Sequence, residues 1–246
     1  SIKYEFIHAK SGKFIILTKL FLISQSFSTL INTLISCRLI MFPDSTHKLI
    51  LASSSKYRKE LLSRLGFPFT AISPDIDESP LPDEKPQETA SRLAFLKAKA
   101  IGVQHPGSIV IGSDQVAECQ GEHIGNPGSF EKALDQLQKM RGRKVNFHTA
   151  LCVWNGMDAD PGRTAQKEIV KTTVTFRDLP DEELAAYLRI EEPYDCAGSA
   201  KNEALGIAIL EKIESSDPTA LTGLPLIALT GMLRKCGLSF FSGAKK

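Results

Sequence analysis

Cysteine is sparse in this sequence. Cys37, Cys119, Cys152, Cys196 and Cys236 are odd in number and widely spaced, with no C-x-x-C pair. That excludes a zinc ribbon and a thioredoxin-like site, and leaves the thiols as small buried hydrophobes in a reducing cytoplasm. Histidine is sparse too: His8, His47, His105, His123 and His148 show neither H-x-x-x-H nor H-E-x-x-H spacing, so no zinc site is expected. An excess of either charge is also missing. Thirty Lys and Arg stand against 28 Asp and Glu, a formal net charge of +2, and the cations are spread rather than blocked. A general polyanion binder, nucleic acid included, is not expected, whereas a single nucleotide needs only a local cluster of cations.

A convincing membrane span is missing as well. The uncharged run Leu20–Cys37 is 18 residues long, and serines, threonines, Gln25 and Asn32 interrupt it. Lys10, Lys13 and Lys19 precede this run, and Leu34-Ile35-Ser36-Cys37 has some likeness to a lipoprotein cleavage box. Against a signal peptide, the region ahead of the run is long and partly apolar, and Arg38 follows the cysteine at once. Composition changes at Met41. Residues 1–40 are therefore expected to be an extension, poorly ordered or not part of the natural chain, and 41–246 the folded domain. No membrane contact is expected. Of the whole chain, 42% hydrophobic residues argue against disorder and 24% charged residues against a multi-span membrane protein.

Beyond Met41, β-rich apolar runs alternate with amphipathic stretches, without a linker or an internal repeat. Strands are predicted over 48–52, 67–72, 108–116, 145–154, 166–176 and 207–214. Helices are predicted over 56–65, 86–102, 130–140, 180–190 and 225–236. The alternation predicts one α/β domain with a largely buried sheet, in two lobes around a cleft.

Four local patterns are candidates for chemistry. In Ser108-Ile109-Val110-Ile111-Gly112-Ser113-Asp114-Gln115-Val116, three β-branched residues run into a carboxylate and a carboxamide. So short an apolar run predicts a buried strand of a parallel sheet, and such sheets bind ligands beyond the carboxyl ends of their strands. Asp114 belongs either to a site there or to a plain turn, since Gly, Ser and Asp all favour turns; the segment alone favours the turn. Ser53-Ser54-Ser55 joins a strand to a helix whose first turn carries Arg58. Hydroxyls and free N–H groups at a helix N-terminus suit an anion, although N-capping by Ser55 accounts for one of the serines. The loop 73–80 carries Asp75, Asp77 and Glu78 between prolines. Most such loops are merely solvated, but one or two carboxylates with substrate phosphate suffice for Mg²⁺. Lys97 and Lys99 stand near the end of the 86–102 helix, and Lys99 reads as a solvated lysine.

In order, Leu49-Ile50-Leu51-Ala52-Ser53-Ser54-Ser55-Lys56-Tyr57-Arg58, Asp75-Ile76-Asp77-Glu78, Leu96-Lys97-Ala98-Lys99-Ala100, Gly112-Ser113-Asp114-Gln115-Val116 and Thr222-Gly223-Leu224-Pro225-Leu226 resemble the Maf family of nucleotide pyrophosphatases. The resemblance runs from about Lys48 to Leu238. Each motif alone is weak; five in the right order are specific. Within the family the chain is similar to the YceF-type branch, which acts on 7-methyl-GTP. That branch carries Ser-Asp-Gln, here Ser113-Asp114-Gln115, where the dTTP/UTP branch has Ala-Asp-Thr. It also carries Cys-Ala-Gly-Ser ahead of Lys-x-Glu, here Cys196-Ala197-Gly198-Ser199 and Lys201-Asn202-Glu203.

The resemblance implies a single domain with a central mixed sheet flanked by helices, in two lobes around a nucleotide cleft (Maf/ITPase-like). It implies hydrolysis of the α–β phosphoanhydride of 7-methyl-GTP, with Asp114 as the catalytic base. Glu78 and Asp114 would hold a divalent metal, Mg²⁺ foremost and Mn or Co as substitutes. Ser53, Ser55, Arg58 and Lys97 would surround the phosphates, and Tyr57, Gln115 and Glu203 would set specificity. An aromatic ring suits the cationic N7-methylguanine, and a carboxylate can accept from the guanine N1–H and amine. A cytoplasmic homodimer is also implied. Two positions depart from the pattern: Tyr57 stands where the branch often has Trp, and Asn126 where the family commonly has Lys. The histidine of the dTTP/UTP branch corresponds to Val145 here, so His148 reads as a strand residue. Two alternatives remain. Gln115 and Glu203 argue against a dTTP/UTP pyrophosphatase; the intact Asp114, Glu78 and Lys97 argue against a non-catalytic nucleotide-binding regulator of cell division.

Overall fold

The computed structural model describes residues 48–158 and 164–241; the extension expected over 1–40 lies outside them, as do Cys37 and His47. Among the described residues seven strands form one sheet: β1 (Lys48–Ala52), β2 (Phe69–Ile72), β3 (Ser108–Cys119), β4 (Glu122–Ile124), β5 (Lys144–Asn155), β6 (Ala165–Phe176) and β7 (Leu210–Ser215). The helices are α1 (Lys56–Ser63), α2 (Pro86–Gly102), α3 (Phe130–Met140), α4 (Asp181–Glu191) and α5 (Leu226–Lys235). Strand order is β2-β1-β3-β5-β6-β7, with β4 also paired to β3. β1 is parallel to β2 and to β3, whereas β3–β5, β5–β6 and β6–β7 are antiparallel. The sheet is thus mixed. A parallel environment for β3 holds on its β1 side only.

β3 departs from its expected length. It runs to Cys119, with Asp114 inside it and paired to Ala150 of β5. Asp114 is therefore not in a turn. The turn tendency of Gly112-Ser113-Asp114 yields to a ladder that pairs each of them with Cys152, Leu151 and Ala150. On its other edge, β3 meets β1 over Ser108–Ile111 and β4 over Ala117–Cys119. Between them, residues 112–116 have no strand alongside among the described residues. The break carries the site.

Gly112 faces α2. A β-carbon there would stand 2.3 Å from the Ala94 carbonyl oxygen and 2.7 Å from the Ala98 nitrogen, so only glycine lets helix and strand come this close. Pro86 opens α2 without wasting a backbone donor, and the Glu88 side chain accepts from the Lys85 N–H. The buried face of α2 then follows a helical period: Ala90, Leu93, Ala94, Lys97, Ala98 and Ile101. Small alanines pack here against Ala150 and Cys152. A second, larger core lies on the opposite face of β5, where Leu137 and Met140 of α3 and Leu184 and Leu188 of α4 pack with Val145, Phe147, Val174 and Phe176. Each such fully buried large side chain contributes ~1.5–3 kcal/mol, which seats α3 and α4 firmly. The last strand starts at Leu210 rather than at 207, because residues 205–209 form a 3₁₀ turn ahead of it.

Cys119, Cys152 and Cys236 are buried and Cys196 is half-buried, all as free thiols. Among the described residues no helix is long and apolar enough to cross a membrane.

Candidate active site

Beside the unpaired stretch of β3 opens a cleft of about 890 Å³. At its charged end, Asp114 projects from the same strand face as Gly112 and meets α2 at Lys97. Lys97 Nζ donates to Asp114 Oδ1 at 2.7 Å and to Glu78 Oε2 at 2.7 Å. Lys97 is 5% exposed, so its ammonium sits in low dielectric where its two carboxylate partners are needed. Burial pushes the Asp114 carboxyl above its ordinary range, and the Lys97 and Arg58 cations only partly offset this. A carboxylate raised in this way is a stronger proton acceptor than an exposed aspartate.

Glu78 owes its position to a brace outside the cleft. The Glu84 carboxylate accepts from Arg92 Nε at 2.7 Å and Nη2 at 2.8 Å, and also from the Thr89 hydroxyl. Arg92 Nη2 in turn donates to the Ser79 carbonyl, next to Glu78. This bidentate pair holds the Glu84 carboxyl down at about 2. Of the loop's acids, Glu78 lines the cleft, whereas Asp77 turns the chain by accepting from the Ser79 N–H.

The serine turn combines both of its expected readings. Ser55 Oγ accepts from the Arg58 N–H and caps α1, and Ser53 Oγ accepts from the Ser55 N–H. Both hydroxyls line the cleft and keep their own proton to donate. Arg58 Nε donates to the Gly223 carbonyl at 2.9 Å, which orients the guanidinium while leaving its Nη groups. Burial lowers its affinity for its proton, against the opposing pull of Asp114 and Glu78. Gly223 has φ +106°, and a β-carbon on it would lie 3.5 Å from Arg58 Nε.

At the other end stand Tyr57, Gln115 and Glu203, all lining the cleft. Gln115 Nε2 lies 2.9 Å from Thr149 Oγ1 and 3.0 Å from the carbonyl oxygens of Ala220 and Leu221. Three acceptors around the nitrogen fix the amide's orientation, so Oε1 is left as the acceptor for a further donor. Tyr57 Oη is 3.9 Å from Cys196 Sγ, and burial, helped by Cys196 and Asp195, pushes its hydroxyl up, so the ring is a neutral phenol. Lys56 Nζ lies 4.8 Å from the Tyr57 ring centroid, so one face of this ring already accepts a cation. Glu203 is exposed as a residue, yet its carboxyl is desolvated enough to be raised above its ordinary range. Lys201 of the same motif turns away: its ammonium donates to the Glu191 carbonyl and closes the C-terminal end of α4. Asn126 lines the cleft. His148 is a β5 residue 3.0 Å from Glu118.

The cleft therefore gathers Ser53, Ser55, Tyr57, Arg58, Glu78, Lys97, Asp114, Gln115 and Glu203. Sequence reasoning placed Thr222-Gly223-Leu224 in a family motif but gave the backbone of segment 217–224 no role, and it aims several of them. Its Ala220, Leu221 and Gly223 carbonyls hold Gln115, Arg58 and Ser113, and Thr149 Oγ1 donates to the Ala220 oxygen as well. Asp217, 2% exposed, fixes that segment by accepting from Thr219 and from the Ile227 and Ala228 N–H groups in the first turn of α5. Asp217-Pro218-Thr219 ahead of a helix was the available signal.

Among the described residues no three His, Cys, Asp or Glu side chains cluster as a metal site. The donor set nonetheless fits a hard divalent cation. Glu78 and Asp114 each give one oxygen to Lys97, which leaves Glu78 Oε1 and Asp114 Oδ2 as the carboxylate oxygens that could meet such an ion, with phosphate oxygens completing its shell.

The Maf-like protein family model matches residues 48–236. A protein of Cupriavidus metallidurans named 7-methyl-GTP pyrophosphatase is 58% identical over 203 residues, covering 82% of this chain and 99% of that protein. One of the same name from Bordetella pertussis is 58% identical, covering 80% and 96%. Among solved structures, a nucleoside-triphosphatase (dITP/XTP pyrophosphatase) from Mycobacterium abscessus aligns over 77% of this chain and 97% of its own, with 15% identity and a TM-score of 0.36.

Proposed function

Because the chain belongs to the Maf-like protein family, we propose that it is a nucleotide pyrophosphatase that converts 7-methyl-GTP to its monophosphate and pyrophosphate. The observation that carries this reading is Asp114: a buried carboxylate with raised proton affinity, placed on an unpaired strand edge and bound through one oxygen to Lys97. Asp114 Oδ2, the oxygen Lys97 leaves over, takes a proton from water as the water oxygen bonds to the α-phosphorus and the bond to the bridging oxygen breaks. Lys97, the Arg58 Nη groups and the Ser53 and Ser55 hydroxyls hold the phosphate oxygens while negative charge moves to the leaving pyrophosphate. Glu78 and Asp114 are the residues that would hold a divalent cation, Mg²⁺ foremost. Such an ion neutralises phosphate charge when bound.

At the other end, the neutral Tyr57 ring offers its face to the cationic N7-methylguanine. Gln115 Oε1 and Glu203 offer acceptors for guanine N–H groups. The same reading takes the protein as a cytoplasmic homodimer without a nucleic-acid partner. It is supported by the family resemblance, the free thiols and the near-neutral charge. Pyrophosphate release from 7-methyl-GTP, GTP, dTTP and UTP, with and without Mg²⁺, tests the reading. A rate on 7-methyl-GTP well above the other three is expected. Comparable rates on all four would defeat the specificity, and no release from any would defeat the activity.

A further inference from the structure

We propose that Gln136, which does not itself line the cleft, is a positioning residue that ties two of its walls together. This rests on the cleft being the nucleotide site. Gln136 stands on α3 between the buried Ala133, Leu137 and Met140, so its backbone is a fixed post. Its Nε2 donates to the Gly125 carbonyl at 3.0 Å, and its Oε1 accepts from Ser199 Oγ at 2.7 Å. Gly125 and Asn126 line one wall; Ala197 and Ala200, on either side of Ser199, line another. A carboxamide has a donor end and an acceptor end, and here each end serves one wall.

The wall at Ser199 needs such a hold. Gly198 and Ser199 both lie in the left-handed region, at φ +73° and +52°. Ser199 is not glycine, and a residue persists there only where its surroundings fix it. Ser199 is fully buried, and its hydroxyl is bound to Gln136. From this turn the chain presents Cys196 and Ala197 to the cleft and, a few residues on, Glu203. A second tie joins the same two walls through the main chain, from the Gly128 N–H to the Tyr194 carbonyl at 3.1 Å. Gln136 thus sets the width of the end that receives the base, without touching it.

Three substitutions separate the ties. Gln136→Met keeps length and volume and loses both bonds. Gln136→Glu keeps the acceptor for Ser199 and loses the donor to Gly125. Ser199→Gly keeps the backbone conformation and loses the hydroxyl. In steady-state pyrophosphate release, Q136M should raise the KM for 7-methyl-GTP about tenfold, the size of one or two lost hydrogen bonds. Its kcat should stay within about twofold, and its preference for 7-methyl-GTP over GTP should shrink. Q136E and S199G should fall between Q136M and the wild type. An unchanged KM and preference would overturn the proposal. So would losses equal for both nucleotides and proportional to a fall in Tm, which mark a purely structural role. If the wild-type protein releases pyrophosphate from no nucleotide, the functional reading fails instead, and amide exchange at Gly128 decides the tie. Exchange about tenfold faster in Q136M supports it; unchanged exchange overturns it.

Discussion

Gly112 and Ala94 are in backbone contact: a β-carbon on Gly112 would lie 2.3 Å from the Ala94 carbonyl oxygen. Asp114 lies two residues along the same strand face, and Lys97 three residues along the same helix face. The close approach of the first pair therefore brings the second within 2.7 Å. Gly112→Ala must push α2 off the sheet. It should cost about 1–3 kcal/mol by overpacking and lower activity out of proportion to that loss, because Lys97 withdraws from Asp114. Urea unfolding beside activity at a temperature where the variant is fully folded checks this. A stable, fully active G112A would show that the contact does not set the distance.

Asp114→Asn keeps the shape and an acceptor for Lys97 but removes the proton acceptor. Pyrophosphate release should fall by about 10²–10⁴-fold, while nucleotide binding by calorimetry persists. Near-normal turnover would remove Asp114 from the role of base.

The raised proton affinity of Asp114 has a definite sign. The fold favours its protonated form, so the acid limb of the kcat/KM profile should lie above the ordinary aspartate value of about 3.9, with activity falling as pH drops through that limb. Stability follows the same linkage: the charged form is the disfavoured one in the fold, so stability from this group is lost as pH rises through its raised pKa. D114N leaves Lys97 with Glu78 as its one carboxylate partner, which lowers stability; against that loss, its Tm relative to wild type should improve as pH rises through the raised pKa of Asp114. A D114N protein less stable at pH 7 than at pH 3, relative to wild type, would contradict the sign.

Glu84 has the opposite sign. Its carboxyl is held down at about 2, chiefly by Arg92, so the stability it lends is present above the ordinary carboxylate range and is lost as pH falls towards 2. Glu84→Gln should lower Tm at pH 7 and loosen the Ser79 region, seen as faster amide exchange there. The difference from wild type should close as pH approaches 2. A gap that stays constant with pH would show that the Arg92 pair is not its source.

Tyr57→Ala should weaken 7-methyl-GTP binding by about 2- to 30-fold, the range of one cation–π contact, and should affect GTP less. Tyr57→Trp should bind at least as well as the wild type. Equal losses for methylated and unmethylated nucleotides in Y57A would leave packing, not charge, as the ring's contribution.

Much of the fold is legible in the sequence. The span 86–102 was visible in the period of its alanines and leucines, and α2 occupies it. The cleft gathers Ser53, Arg58, Glu78, Lys97 and Asp114. Where side chains carry the information, a sequence displays it. The length of β3 was hidden because Gly112-Ser113-Asp114 has local turn character that a neighbouring strand overrides. β4, three residues long in a glycine-rich stretch, was too short to show a period. The acceptors at Ala220, Leu221 and Gly223 were hidden for another reason: every residue has a carbonyl, so none announces itself.

Those three carbonyls also bear on when, during synthesis, the protein becomes competent. Every side chain given a role in catalysis or recognition lies between Ser53 and Glu203, yet the oxygens that hold Arg58 and Gln115 come later, 165 residues after Arg58 and 105 or 106 after Gln115. A ribosome that has released the chain only as far as Ser215 has delivered the seven described strands and the groups assigned to the reaction, with Arg58, Ser113 and Gln115 still unaimed. The nascent chain is complete in chemistry before it is complete in geometry, and the backbone turn at 220–223 converts one into the other.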